Sequence, residues 1–252
     1  MNNKRLQRNL IHLNSVDSTN NFAANLIKAK KVENGTIILT DCQTEGRGQR
    51  GRVWQSDANL NLLCSIVVYP ELTADKAFYL SMITALALSE AIDDMVNDEN
   101  TWIKWPNDVL IGNKKVAGIL IENQLQGDKI NSSIIGVGVN INQIDFGDEL
   151  RATSIKKAYN VELDIREFLD YFYDEFETEY RRLMSSDDEY LAQYLVTDYV
   201  ESLYGRDSVL EFKDSSGSFQ GRIQGVDEIG RLRILVGEDI RTYQMGEIQF
   251  IY

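Results

Sequence analysis

The 252-residue sequence lacks the features that would tie it to a membrane or a secretory route. No run of apolar residues approaches the roughly 18 that a membrane-spanning helix requires. The first residues are basic, but no apolar stretch of about 7–15 residues follows them, so a secretory signal is not expected. With 43% hydrophobic residues, the chain can bury one large core and carry a small second domain. The composition predicts a globular protein that has no membrane partner.

Cysteine and positive charge are also scarce. Cys42 and Cys64 are the only cysteines, with no CxxC pattern and no adjacent histidine. We interpret them as free thiols in a reducing compartment, which predicts a cytoplasmic location. The formal net charge of −13 argues against a general nucleic-acid binder, because such proteins need basic surface to replace counterions. The local exception is a cluster formed by Arg47, Arg50 and Arg52.

The apolar pattern predicts an α+β protein in two blocks, a domain over residues 1–200 and a smaller one over 201–252. The first block mixes strands and helices around an irregular, mobile loop at 42–59. Its expected strands lie at 36–41, 60–69, 101–111, 115–123 and 130–141, and its expected long helices lie over 74–94 and from Asp164 onward. The second block shows five short strand-like runs, at 209–212, 219–226, 232–236, 240–243 and 248–252. Five short strands in so little chain predict a small barrel.

Residues 46–52 read GRGQRGR. Glycines allow the backbone to turn its N–H groups toward one point, and arginines add charge-assisted donors, so this loop could wrap a phosphate or an acyl phosphate. A solvated basic turn is the alternative. The GxGxxG spacing resembles a dinucleotide fingerprint, but residues 52–59 have no helical period where that motif requires a helix.

A protein-kinase interpretation also fails. Gly46–Val53 fits the phosphate-covering loop of kinases, and Asp145-Phe146-Gly147 spells the kinase DFG motif. Kinase chemistry also requires a His-Arg-Asp catalytic loop, whereas His12 is the only histidine. We therefore expect residues 145–147 to form an ordinary turn.

A third motif joins two strand-like runs. Lys104-Trp105-Pro106-Asn107-Asp108 is followed by Lys115-Val116-Ala117-Gly118. Two lysines, an amide and a carboxylate at neighbouring strand ends are suited to a polyphosphate and a metal ion. A surface row of hairpin charges is the alternative.

Together these segments resemble the biotin–protein ligases. That family shows five motifs in order, which here stand as Ser18-Thr19-Asn20, Gln43–Trp54, Lys104–Asp108, Lys115–Ile119 and Gly136–Asn140. The resemblance implies a mixed sheet flanked by helices, like the catalytic domain of class II aminoacyl-tRNA synthetases, and an SH3-like barrel at the C-terminus. It implies a ligase that forms a carbon–nitrogen bond. Biotin would be joined to a lysine of an acceptor protein, such as the biotin carboxyl carrier domain of a carboxylase, through biotinyl-5'-AMP, with ATP and Mg²⁺.

The resemblance also implies residue roles. Hydroxyl and amide groups would hold the ureido ring of biotin, while the GRGQRGR loop would cover its carboxylate and the adenylate. The biotin-binding residues would be Ser18, Thr19, Asn20, Gln43, Gly46, Arg47, Gly48, Lys115 and Gly118. The ATP-binding residues would be Trp54, Lys104, Asn107 and Asn140. The catalytic residues would be Lys115, Arg47 and Asp108, with Asp108 also the metal ligand. Ser18 could in addition cap the following helix.

Some points depart from the family pattern or stay open. Many members carry arginine where Gln49 stands, so adenylate retention would depend more on Arg47 and Lys115, or on Arg50. Only about ten residues precede the first expected strand, so no DNA-binding helix-turn-helix is expected. A lipoate–protein ligase and a biotin-sensing regulator are the rival functions. The sequence leaves the acceptor and the oligomeric state, monomer or homodimer, open.

Overall fold

A computed structural model of the chain describes residues 6–147, 151–185 and 189–251. The first block contains seven strands: β1 (Leu10–Leu13), β2 (Thr36–Thr40), β3 (Leu62–Val68), β4 (Thr101–Lys104), β5 (Asp108–Ile111), β6 (Lys114–Gln126) and β7 (Lys129–Val139). Its helices are α1 (Thr19–Lys28), α2 (Phe78–Val96), α3 (Ile155–Tyr159), α4 (Ile165–Ser185) and α5 (Glu189–Glu201). The C-terminal strands are β8 (Leu210–Asp214), β9 (Gly217–Val226), β10 (Leu232–Val236), β11 (Asp239–Tyr243) and β12 (Gln249–Ile251).

One mixed sheet with helices on both faces organises the first block. Its strand order is β1-β2-β3-β7-β6-β5-β4, and all neighbours pair antiparallel except β1 and β2. Every residue of β2 and β3 is buried, because α1 covers one face and α2 with α4 covers the other. A strand buried on both faces is a continuous apolar run, and both sequences have that form.

The prediction of one strand over residues 101–111 was wrong. The segment forms two antiparallel strands, β4 and β5, which pair Lys104 with Asp108. Pro106 lies in the turn between them, where it does not have to supply an N–H to the sheet. The turn brings Lys104 and Asp108 side by side at the end of the sheet.

The two long helices were predicted correctly, and α3 and α5 were not predicted. Asp164 accepts hydrogen bonds from the backbone N–H groups of Arg166 and Glu167 at 2.7 and 2.9 Å, which confirms the expected start of α4. The aromatic stripe of α4 is buried as expected. No described helix is both long and apolar enough to cross a bilayer.

The C-terminal strands form an antiparallel sheet in the order β11-β10-β9-β8-β12, which confirms the five expected strands and the fold class. Tyr252, the last residue of the fifth expected run, lies outside the described residues. The core of this sheet is continuous with that of the first block. At the junction, Trp105 Nε1 donates to the Gly230 carbonyl at 2.9 Å.

Candidate active site

A groove of about 1460 Å³ runs between the large sheet and the C-terminal sheet. One wall is the loop around residues 47–54, and the opposite wall is formed by residues of β8, β11 and β12 with their connections. Strands β6 and β7 form the floor. All five expected motifs contribute residues to its lining together with the C-terminal sheet, which the sequence did not connect to the site.

Glycines make the floor flat. A Cβ on Gly138 would lie 2.5 Å from Trp54 Cε2, and one on Gly118 would lie 2.9 Å from Trp54 Cζ3, so the indole rests directly on the backbone. A Cβ on Gly136 would lie 2.3 Å from Asn20 Oδ1. A side chain at any of these positions would displace Trp54 or Asn20. Trp54 Nε1 is buried and has no hydrogen-bond partner among the described residues.

Neutral polar groups form one end of the groove, the polar end, which comprises Thr19, Asn20 and Gln43, with Ser65 buried behind them. The Thr19 N–H donates to Gln43 Oε1 at 2.9 Å. The Ser65 hydroxyl donates to Asn20 Oδ1 at 2.6 Å and lies 2.7 Å from Thr19 Oγ1. Ser65 is fully buried on β3 and was missed by the sequence analysis, where it counted only as a strand residue. Ser18 occupies the N-cap position of α1, as the sequence suggested, but its side chain makes no capping hydrogen bond.

The GRGQRGR loop is attached through two of its three arginines. Arg47 forms an ion pair with Glu122 of β6, and Glu122 Oε2 also accepts a hydrogen bond from Asn20 Nδ2 at 2.7 Å. Arg50 donates to the carbonyls of Met245 and Gly246 at 2.7 and 3.0 Å, in the turn before β12. Glu122 and these carbonyls were not expected from sequence, because they are distant in the chain from the loop.

The loop is also folded on itself. The Gly48 N–H donates to the Arg52 carbonyl at 2.7 Å, and the Trp54 N–H donates to the Gly46 carbonyl at 2.9 Å. A short 3₁₀ turn spans Gln49–Gly51, with Arg50 at φ 57°. The loop is therefore shorter in its irregular part than expected, and its mobility stays a prediction.

Cationic side chains collect at the other end of the groove, the cationic end, which comprises Arg52, Lys104, Lys115 and Arg151. Lys115 Nζ lies 2.6 Å from Asp108 Oδ1 and 5.3 Å from the centre of the Trp54 ring. Burial lowers the pKa of Lys104, and Lys115, Arg52 and Arg151 lower it further, whereas Asp108 opposes them. An anion at this end would relieve the repulsion. Arg151 carries no motif and was not predicted.

The two asparagines expected to bind ATP differ in their position relative to the groove. Asn107 lines the groove, and its side chain donates to the Ile119 carbonyl at 2.7 Å. Asn140 is buried outside the lining, where its side chain donates to the Thr153 carbonyl at 3.0 Å. The structure therefore does not bring Asn140 to the groove. Gly46 is also buried beside the lining, against the Trp54 carbonyl.

Comparisons with known proteins agree with this geometry. Residues 13–140 match the Biotin/lipoate A/B protein ligase family. The chain is 32% identical over 246 residues to the Bifunctional ligase/repressor BirA of Bacillus subtilis, which covers 96% of this chain and 74% of that protein. It is 39% identical over 126 residues to the Biotin--[acetyl-CoA-carboxylase] ligase of Paracoccus denitrificans, over 50% and 51% of the two chains. The biotin protein ligase of Aquifex aeolicus in complex with biotin and ATP superposes with a TM-score of 0.79 at 28% identity, over 97% and 99% of the chains.

Proposed function

The chain belongs to the biotin/lipoate A/B protein ligase family, and from that premise we propose that it attaches biotin to a lysine of an acceptor protein, using ATP. The intermediate is biotinyl-5'-AMP. The acceptor is a biotin carboxyl carrier domain of a carboxylase, because the Paracoccus relative bears the name of an acetyl-CoA-carboxylase ligase.

The observation that supports this function best is the division of one groove into a polar end and a cationic end. A ureido ring is neutral and offers one carbonyl and two N–H groups, which suit the hydroxyls and amides of Thr19, Asn20 and Gln43. Carboxylate and phosphates are anions, which suit Lys104 and Lys115. The groove is continuous between the two ends, which leaves room for the alkyl chain that joins ring and carboxylate.

We assign the biotin ring to the polar end and the carboxylate to the region between Arg47 and Lys115. The adenine is assigned to Trp54, whose indole nitrogen lacks a partner among the described residues, and the polyphosphate to Lys104 with Arg52 and Arg151. Asn107 remains assigned to nucleotide binding. Asn140 does not contact the ligand and instead holds the backbone next to it in place through its side-chain hydrogen bond. Gly48 and Gly118 line the groove and allow close approach of the backbone to the ligand, whereas Gly46 allows the loop to pack against the Trp54 carbonyl.

In the first step, an oxygen of the biotin carboxylate attacks the α-phosphorus of ATP. The bond from that phosphorus to the bridging oxygen breaks, and pyrophosphate leaves. Both reactants are anions that repel each other, so a cation between them lowers the barrier by neutralisation and positioning. Lys115 is placed for this role, since its ammonium lies on the groove floor beside Asp108 and Trp54.

In the second step, the uncharged ε-amine of the acceptor lysine attacks the acyl carbon. The bond to AMP breaks, AMP leaves, and the amine loses a proton. Asp108 is the groove carboxylate nearest Lys115 and is assigned to accept that proton or to hold a metal ion. The GRGQRGR loop shields the mixed anhydride from water between the two steps.

Magnesium would enter with the nucleotide. Among the described residues no group of three or more His, Cys, Asp or Glu side chains could hold a metal ion. That fits magnesium, which is commonly held by one or two carboxylates and the substrate phosphates. Asp108 would be the protein ligand, and the ion would neutralise phosphate charge.

Exchange of labelled pyrophosphate into ATP, without acceptor protein, tests the first step. We expect exchange with biotin and not with lipoate, because the polar end offers hydrogen-bond partners that only the ureido ring uses. Mass spectrometry of a carrier domain after incubation with biotin and MgATP should then show one added biotinyl group. Exchange that depended on lipoate alone would assign the chain to the other branch of its family.

The remaining assignments concern the setting of the reaction. We propose a cytoplasmic enzyme that acts on the carrier domain without nucleic acid or membrane. Its net charge of −13 supports the absence of a DNA partner, and a mobility-shift assay with the adenylate present tests it. The domain division near residue 200 is supported by the end of α5 at Glu201 and the start of β8 at Leu210.

A further inference from the structure

Glu122 occupies an unusual place for a carboxylate. It lies on β6 in the row Gly118, Leu120, Glu122, which alternation along a strand places on one face. The first two residues of this row line the groove. The proposed substrates are anions, so a negative charge here would oppose binding unless it organises a cation.

Glu122 does contact a cation, and it shares that contact with the polar end. One carboxylate oxygen pairs with Arg47 Nη2, and the other accepts from Asn20 Nδ2 at 2.7 Å. Asn20 is itself fixed, since Ser65 donates to its Oδ1 at 2.6 Å and its Nδ2 lies 3.3 Å from the Leu120 carbonyl. The carboxylate is therefore held on one side and holds Arg47 on the other.

We propose that Glu122 is a positioning residue that orients the Arg47 guanidinium toward the carboxylate of the ligand. The same residue connects the orientation of Arg47 to the polar end. The proposal rests on the proposed function. A guanidinium has five N–H donors, so one interaction with Glu122 leaves others for the groove. A ring bound at Asn20 is thereby connected through Glu122 to Arg47 before the chemical step.

An ordinary surface ion pair is the alternative, since both side chains are about 40% exposed, at 39% for Arg47 and 42% for Glu122. Such a pair contributes little to stability and nothing to rate. The two explanations differ in what a neutral side chain of the same shape would do. Glu122→Gln keeps an oxygen that can accept from Asn20 and removes the charge that holds Arg47. Glu45→Gln removes an equal charge two residues from Arg47 on an exposed side chain and is the matched control.

The first measurement needs no ligand. Trypsin cleavage after Arg47, followed by mass spectrometry, should be faster in Glu122→Gln than in the wild type or Glu45→Gln, because the guanidinium is released. This result is independent of the proposed function. Equal rates in all three proteins would show that Glu122 does not hold Arg47, and the proposal would be abandoned.

The second measurement is biotin-dependent pyrophosphate exchange, with the affinity for biotinamide, which lacks the carboxylate, as a parallel readout. Glu122→Gln should slow exchange by about 10- to 100-fold, the usual cost of a misplaced reactive group, and leave biotinamide affinity unchanged. In an Arg47→Gln background the same substitution should have no further effect. Unchanged exchange, tighter binding of biotin, or an undiminished effect in the Arg47→Gln background would each overturn the proposal. Exchange absent from the wild type itself would refute the proposed function instead.

Discussion

At the scale of single residues, Lys115 and Lys114 form an internal comparison. Both are at the start of β6, but Lys115 faces the groove and contacts Asp108, whereas Lys114 is exposed and does not line it. Lys115→Gln should lower the rate of adenylation by about 10²–10³, the usual effect of removing one preorganised donor. Because the contribution is largest in the transition state, biotin affinity should change less than the rate.

Lys114→Gln should leave the rate near the wild-type value. Pyrophosphate exchange for the rate and calorimetry for biotin affinity measure the two effects. Equal, mild losses in both variants would mean that these lysines are hairpin surface charges, and the phosphate site would move toward Lys104.

We expect Asp93 on α2 to make the free energy of unfolding depend on pH. Burial raises its pKa to about 6 from 3.8, although Thr101 donates to it at 2.6 Å. Its folded pKa is above its unfolded value, so the folded state holds the proton more tightly and the free energy of unfolding falls as pH rises from about 4 through about 6. Asp93→Asn cannot ionise. The stability of this variant relative to wild type should rise across that window, as measured by urea unfolding at several pH values.

Glu90 also has a pKa raised by burial, so it also makes stability depend on pH. The unfolding free energy of Asp93→Asn should therefore vary less with pH than that of the wild type, but it should still vary. Glu238→Gln, at an exposed turn of the C-terminal sheet, is the control and should follow the wild-type curve. Parallel curves for wild type and Asp93→Asn would show that Asp93 titrates alike in both states.

At the scale of elements, the loop and the C-terminal sheet are joined by Arg50. A Cβ on Gly246 would lie 1.6 Å from Arg50 Cζ, so Gly246→Ala should displace the guanidinium without altering the loop sequence. Arg50→Ala should have the same consequence. We expect both variants to release biotinyl-adenylate to water faster, by about 10-fold if the two hydrogen bonds contribute about 1.4 kcal/mol together.

The measurement is AMP produced per biotin in the absence of acceptor. Gly237→Ala is the control, because its φ of +65° imposes a similar strain while a Cβ there meets nothing within 4 Å. If Gly237→Ala produced as much AMP per biotin as Gly246→Ala, backbone strain rather than the Arg50 contact would be the cause.

Sequence analysis predicted elements better than their assembly. The buried strands and the stripe of α4 follow from apolar periodicity, which is a local property. The break between β4 and β5 was missed because the apolar runs on its two sides were interpreted as one strand, although Pro106, Asn107 and Asp108 mark a turn between them. Ser65, Glu122 and Arg151 carry no motif of their own. Arg151 lines the groove, while Ser65 contacts Asn20 and Glu122 contacts Arg47, and these positions result from sheet pairing and loop closure. The groove wall supplied by the C-terminal sheet depends on packing between distant segments, which no local pattern encodes.

At the scale of the whole molecule, charge is unevenly distributed. The chain carries a formal charge of −13, while Arg47, Arg52, Lys104, Lys115 and Arg151 line one groove. An acidic surface with one cationic groove favours anions at that place and disfavours the general binding of nucleic acid. This distribution is suited to an enzyme whose small substrates are anions.

We expect the two sheets to unfold as one cooperative unit. Their buried side chains belong to one continuous core, and Trp105 donates across the junction to the Gly230 carbonyl. A Cβ on Gly230, where φ is +84°, would lie 2.1 Å from Phe78 Cγ on α2. Gly230→Ala should therefore lower the free energy of unfolding by about 2–4 kcal/mol, combining backbone strain with overpacking. Gly237→Ala, with positive φ and no close neighbour, should lose only about 1 kcal/mol.

Because the strained contact lies between the C-terminal sheet and helix α2 of the first block, Gly230→Ala distinguishes two descriptions of how the molecule unfolds. If the sheets share one core, near- and far-ultraviolet circular dichroism should report a single transition that shifts to lower denaturant with both probes coincident. If the C-terminal sheet were an independent domain, the variant would show an early transition for that sheet while the large sheet unfolded at the wild-type midpoint. Coincident curves with the larger shift for Gly230→Ala are the expected result, because Phe78 is anchored in the core of the large sheet by its edge contact with Tyr199, whose centroid lies 5.7 Å away.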